Sequence, residues 1–291
     1  MRIRLKVPTK KKIIMHLIAL FLVGIVIWFA LQKEEKTAQY DIVILGDSIV
    51  GNVGENGESF TTYLGENLNK RTFKGGIGGT TLSLGTNPKW SSVSNVEWSM
   101  VKLAEAICYD DWKNQKATMA YAESFIGINN QVLSYFGTTL DTLSKIEFKQ
   151  AQILVIGHGT NDYNSGKAVD NPEEPYDKTT FGGALRYSLK ILKETFPNLR
   201  IVLLSPLYCE LGEEKERKCY NTKYGNGGYL EEYVSLEKQI AEEFDVEWID
   251  AYHKSGINEK NSSLYLSDGL HLNAEGHKLI GEFLTQYFEA N

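Results

Sequence analysis

Five short apolar runs, each of strand length, recur along the chain with helical patterns between them. They occupy residues 41–45, 71–74, 152–156, 200–204 and 246–249. Three of them contain Ile-Val-Ile-Leu, Ile-Leu-Val-Ile and Ile-Val-Leu-Leu, apolar without alternation. Such runs read as strands buried on both faces. Helical spacing appears at 59–69, 181–196, 231–244 and 274–288. In the second of these Leu185, Leu189, Ile191, Leu192 and Phe196 fall largely on one face, and Pro197-Asn198 ends it. Alternation of this kind predicts an α/β fold, a parallel sheet with helices on both faces. Two stretches exceed what crossovers need. Residues 82–150 predict extra helices near 96–108 and 130–146, and residues 206–230 form a polar, glycine-containing excursion. Both are placed to shape a site, because ligands bind beyond the carboxyl ends of parallel strands.

The N-terminus differs in character. Arg2, Arg4, Lys6, Lys10, Lys11 and Lys12 are followed by an apolar run at 13–31, broken only by His16. At ~1.5 Å per residue that run spans roughly 28 Å, close to a bilayer core. It lacks an A-x-A cleavage pattern and has no following cysteine for lipidation. It is therefore expected to be a transmembrane signal anchor. The basic residues 1–12 are expected in the cytoplasm and the rest outside, with 32–39 a tether and 40–291 the folded domain. The whole chain of 291 residues carries −6, so beyond its six basic starting residues the charge is −12. No nucleic-acid partner is expected of so acidic a domain. Of three cysteines, Cys209 and Cys219 share one excursion and are expected to pair in an oxidising compartment, while Cys108 is expected to be buried and free.

Chemistry-bearing residues sit where strands end. Gly46-Asp47-Ser48 follows the first run, Gly78-Gly79-Thr80 the second, and Gly159-Thr160-Asn161-Asp162 the third. Asp268-Gly269-Leu270-His271 precedes the last helix. Acyl transfer by serine needs a base and a group that orients the base. Ser48, His271 and Asp268 supply those types. The developing oxyanion needs fixed donors. The backbone N–H groups of Ser48 and Gly79 and the side-chain amide of Asn161 are candidates. No Gly-Lys-Ser/Thr ending makes the glycine-rich stretch a P-loop, and Gly46-Asp47-Ser48-Ile49-Val50 lacks the G-x-S-x-G elbow.

In order and placement these four blocks resemble the SGNH hydrolase superfamily, the GDSL-type esterases and lipases. The matching residues are Ser48 in GDSI, Gly79 in GGTT, Asn161 in GTND and His271 in DGLH, with Asp268 at the position of the triad acid. The resemblance runs from about residue 40 to the end of the chain. It implies a three-layer α/β/α sandwich around a five-stranded parallel sheet, flavodoxin-like, and hydrolysis of esters or thioesters. Two departures stand out: Ile49 replaces the usual Leu, and Lys74 stands where the second block often begins with Asn.

Asp47 and Asp162 read as structural residues of their turns. His158 reads as a hydrogen-bonded loop residue, and His253 and His277 as surface or helix positions. No spacing among the five histidines suggests metal ligation, so neither metal nor cofactor is expected. Trp98 and Trp112 read as helix packing, and Trp90 as a candidate for stacking on a sugar. The expected activity is that of an extracytoplasmic esterase acting on an acylated small molecule or polysaccharide, foremost a carbohydrate O-acetyl esterase. A lipase, lysophospholipase or acyl thioesterase of the same fold is the enzymatic alternative. A non-catalytic carbohydrate-binding module is the remaining one.

Overall fold

The apolar run after Asp41 becomes β1 (Ile42–Gly46), buried along its whole length. In the computed structural model, which describes residues 38–85, 96–124, 126, 133–212 and 215–291, six further strands follow. They are β2 (Thr72–Gly76), β3 (Ile153–Gly157), β4 (Arg200–Leu204), β5 (Glu210–Leu211), β6 (Arg217–Lys218) and β7 (Glu247–Ile249). Five form one sheet in the order β2-β1-β3-β4-β7, every neighbouring pair parallel. Strands β5 and β6 make a separate antiparallel hairpin.

The helices are α1 (Ser48–Gly51), α2 (Phe60–Leu68), α3 (Met100–Tyr109), α4 (Lys113–Glu123), α5 (Tyr135–Ser144) and α6 (Thr160–Asn164), then α7 (Phe181–Thr195), α8 (Leu230–Glu243), α9 (Ala251–Lys254), α10 (Ser262–Tyr265) and α11 (Ala274–Ala290). Their boundaries follow local chemistry. Ser59 accepts from Thr62 N–H to start α2, and Asn69, left-handed at φ 51°, ends it. Thr180 and Asn273 cap α7 and α11 in the same way. The stretch expected to be helical at 96–108 divides into a 3₁₀ turn (Val96–Trp98) and α3, because Ser99 caps the Lys102 N–H. Helix α4 was not anticipated. It buries only Gln115, Met119 and Ala122, too little for an apolar stripe. Trp98 and Trp112 are core residues, as their spacing suggests.

The strand order places β1 and β3 side by side with the chain leaving β1 toward β2 on one flank and returning to β3 on the other. That divergence is where an open α/β sheet leaves a crevice. Glycines mark its edge: Gly46 lies in register with Gly76 on β2 and Gly157 on β3. The strands run into these glycines, a residue or two beyond the apolar runs.

Three expectations change. Ala38 already pairs with Ile146, so the folded unit begins before residue 40. The thiols of Cys209 and Cys219 are both free. They oppose each other beside the β5–β6 hairpin, where Cys219 N–H donates to Cys209 O at 3.1 Å and Cys219 Sγ accepts from Cys209 N–H at 3.4 Å. His277, read as a surface or helix position, lies in α11 and is fully buried. Its Nδ1 accepts the Phe60 N–H at 3.2 Å, satisfying a group that the start of α2 would otherwise leave unpaired. Cys108 is free as expected but only half-buried, not buried. No helix among the described residues is long and apolar enough to cross a membrane. The run at 13–31 and Trp90 lie outside those residues.

Candidate active site

Three turns and one loop build the site. After β1, Asp47 Oδ1 accepts the Ile49 N–H at 2.9 Å and caps α1, whose first residue is Ser48. The turn folds tightly back on its own sheet. A Cβ at Gly46 would lie 2.2 Å from Val50 Cγ2, and one at Gly76 would lie 2.2 Å from Gly51 N. Only glycine permits that approach. As first residue of α1, Ser48 has no acceptor for its N–H within the helix.

The loop between α10 and α11 brings the base. Asp268 Oδ1 accepts the N–H groups of Leu270 at 3.0 Å and His271 at 2.8 Å, which closes a tight turn. Its other oxygen meets His271 Nδ1 at 2.7 Å. His271 Nε2 then lies 2.9 Å from Ser48 Oγ. One carboxylate thus folds the loop and aims the imidazole. The β5–β6 hairpin braces the loop from behind: Glu210 N–H donates to Gly269 O at 2.8 Å, and Gly269 is left-handed at φ 82°. Burial would raise the Asp268 carboxyl, but hydrogen bonds from the His271 ring and from two N–H groups hold it well below the usual carboxylate range.

The other wall comes from the turns after β2 and β3. Gly79 adopts φ 75°. A Cβ on its neighbour Gly78 would lie 3.6 Å from Ser48 Cβ, so this turn passes directly over the serine. Asn161 is the second residue of α6, and its Nδ2 donates to Thr80 O at 3.0 Å. An amide nitrogen carries two hydrogens, so this bond orients the group and leaves one hydrogen for a ligand. Asp162 is buried and ties the two turns together. It accepts from Leu82 N at 2.7 Å, Ser83 N at 3.0 Å and Ser83 Oγ at 2.6 Å. The structural roles read for Asp47 and Asp162 match these bonds.

The floor beneath is buried and titratable. Burial pushes the Asp47 carboxyl up to about 7, against the pull of the Ile49 N–H and of His271. Its Oδ2 has no partner among the described residues. Burial pushes His158 down to about 3, so it is neutral, and its Nε2 is 3.5 Å from Thr80 Oγ1. It lies under the crevice instead of lining it. His253 bridges Asp250 Oδ1 at 2.8 Å and Glu231 Oε2 at 3.0 Å.

Sequence reasoning missed the role of Lys74, although its departure from the family pattern was visible. Its Nζ donates to Gly51 O at 2.8 Å, at the end of the helix that Ser48 begins. It also missed Tyr135, whose hydroxyl donates to Asn52 Oδ1 at 3.1 Å. Nothing in the spacing of residue 135 ties it to residue 52. Both side chains line a cleft of about 620 Å³ that His271 also borders.

Chemically, the arrangement holds a hydroxyl on a base, the base on an ionised carboxylate, and an amide donor across the crevice. That set suits attack on a carbonyl carbon.

Comparison with known proteins agrees in fold and family. A model of the GDSL-like lipase/acylhydrolase family matches residues 44–279. The chain is similar to the isoamyl acetate-hydrolyzing esterase 1 homolog of Mus musculus, 27% identical over 130 residues, which cover 44% of this chain and 51% of that one. The chain therefore spans about half the length of that curated relative. Among solved structures, a protein from Lactobacillus plantarum is similar with a TM-score of 0.61 at 19% identity, over 87% of this chain and 99% of that one. A carbohydrate acetylesterase from Sinorhizobium meliloti is similar with a TM-score of 0.52 at 14% identity, over 86% and 98%. At these identities the structural likeness is one of fold.

Proposed function

The chain belongs to the GDSL-like lipase/acylhydrolase family, and from that premise we propose that it is a serine esterase that removes short acyl groups from carbohydrate. The observation that carries the reading is the unbroken path from Asp268 to His271 to Ser48, with distances of 2.7 and 2.9 Å. Ser48 Oγ attacks the ester carbonyl and His271 takes its proton. The tetrahedral oxyanion receives hydrogen bonds from the N–H groups of Ser48 and Gly79 and from the Asn161 amide. His271 returns the proton to the departing alcohol, and water then repeats the sequence on the acyl-enzyme. Asp268 keeps the imidazole in the productive orientation throughout.

A short acyl group is supported by the relative named for acetate ester hydrolysis. A carbohydrate alcohol is supported by the open cleft beside His271, whose lining mixes Asn52, Glu55, Lys74 and Ser134 with Tyr135. We place the domain outside the cell, held by the apolar segment at 13–31 behind its basic start.

The test is acetate release from acetylated saccharides, beside nitrophenyl esters of graded chain length, with Ser48→Ala as control. Acetyl esters should be the best substrates, and an organophosphonate should label Ser48. Preference for long acyl chains would replace this reading with a lipase. Labelling without turnover of any ester would leave the substrate reading refuted. Protease added to intact cells should remove the domain; a fully protected domain would overturn its outward placement.

A further inference from the structure

We propose that Lys74 is a specificity-determining residue, whose ammonium binds a carboxylate carried by the alcohol part of the ester, as in an O-acetylated uronic acid saccharide. The inference rests on the esterase reading above and extends it to the leaving group.

The cleft of about 620 Å³ is bordered by His271 but not by Ser48. The base hands its proton to the departing alcohol, so space beside the base and away from the nucleophile belongs to that alcohol. A second cavity, about 650 Å³, runs along the edge strand past Thr72 and Arg71. The two cavities share Val53 and Lys74 in their linings. Together they give room for a saccharide longer than one ring, and Lys74 stands at their junction.

The chemistry of that junction is specific. An ammonium has three donors. One Lys74 donor is used by Gly51 O. The Tyr135 ring lies 5.6 Å from Nζ, a contact of cation with π face. No carboxylate pairs with Lys74 among the described residues, unlike Arg71, which bonds Asp41 at 3.1 Å. Glu55 lines the same cleft, but its Oε2 accepts the Ala274 N–H at 3.0 Å, at the start of α11. Half-burial pulls the Lys74 ammonium below the ordinary lysine range, the mark of a cation short of compensation. A ligand carboxylate would supply both the missing charge and the acceptor for the remaining hydrogens. Position fits as well. Lys74 lies two residues before Gly76, whose partner across the ladder is Gly46, so its Cα is roughly 7 Å below the rim that carries Ser48. A lysine side chain spans that distance.

The test compares acetate release from an O-acetylated uronic acid oligosaccharide and from its carboxyl-reduced, neutral counterpart. The wild-type protein should favour the acidic ester at least tenfold in kcat/KM, mainly through KM. Lys74→Gln should collapse that ratio about tenfold or more, and Lys74→Arg should keep most of it. A purely structural Lys74, holding the Gly51 turn, would slow both esters alike and leave the ratio unchanged. That result, or a wild-type ratio near one, overturns the proposal. Binding separates this inference from the esterase reading. In a Ser48→Ala background, the deacetylated acidic oligosaccharide should bind at least tenfold more weakly once Lys74 is Gln. If no ester is turned over yet this loss appears, the esterase reading fails and the Lys74 site stands. If acetate is released but neither comparison depends on Lys74, the reverse holds.

Discussion

Replacing Asp268 by Asn probes how one carboxylate does two jobs. Asp268 Oδ1 accepts two backbone N–H groups, at 3.0 and 2.8 Å, while Oδ2 accepts the His271 ring at 2.7 Å. Asparagine has one acceptor oxygen and one NH₂. If the oxygen stays with the two N–H groups, the NH₂ faces His271 Nδ1. The ring must then carry its proton on Nε2, pointing at Ser48 Oγ 2.9 Å away, and can no longer accept the serine proton. The opposite orientation strands two N–H groups at about 1 kcal/mol each. Two bonds outweigh one, so the unproductive orientation is favoured. The expected loss in kcat is about 10⁴-fold, or ~5.5 kcal/mol. Asp268→Ala should be roughly tenfold milder, because the Asp268 side chain is 56% exposed and water can take the Nδ1 proton's acceptor role. Initial rates on nitrophenyl acetate, normalised to folded protein by circular dichroism, measure both. Asp268→Asn retaining more than a few per cent of kcat, or proving milder than Ala, would mean that the asparagine does not lock His271 in the Nε2-protonated tautomer.

Asn161→Ala should lower kcat by ~10²–10³ with little change in KM, because the amide gains strength only as the oxyanion develops. Asn161→Asp should be at least as damaging, since a carboxylate beside Thr80 O repels both that carbonyl and the oxyanion; loss of folded protein with normal specific activity would instead make Asn161 structural. Gly269→Ala should destabilise the fold by ~1–3 kcal/mol, because φ is 82° and the new Cβ would lie 2.2 Å from Glu210 O; an unchanged Tm would show that the loop relaxes freely. Glu237 is fully buried with Oε2 on the Trp248 indole N–H at 3.2 Å, and burial pushes its carboxyl up to about 8. Its folded value exceeds its unfolded one, so the cost of ionising it is absent below about pH 4.5 and grows as pH rises toward 8. Glu237→Gln should therefore raise Tm at pH 8 and have little effect at pH 5; an equal shift at both would place the effect elsewhere.

Strands β1, β3 and β4 were legible because strands buried on both faces must be apolar throughout, which is a local demand. Helices α2, α7, α8 and α11 were legible because an amphipathic stripe repeats within a few residues. Helix α4, the four-residue helices and the β5–β6 hairpin were not, since packing by distant partners stabilises them and leaves little pattern. For the same reason nothing in the sequence marks His277 as a buried helix position. Its burial depends on α2, more than two hundred residues away in the chain.

At the site, residue types and loop positions for Ser48, Gly79, Asn161, Asp268 and His271 came from the sequence alone. Acyl transfer tolerates few side chains in those roles, and each must follow a strand or precede a helix to be presented. The order β2-β1-β3-β4-β7, which sets Ser48 and Asn161 beside one crevice, was decided by how strands pair across crossovers. So were the hairpin behind Gly269 and the Lys74 bond to Gly51 O. These are contacts between segments far apart in the chain, and hydrogen-bond geometry and close packing select them only after the chain has folded.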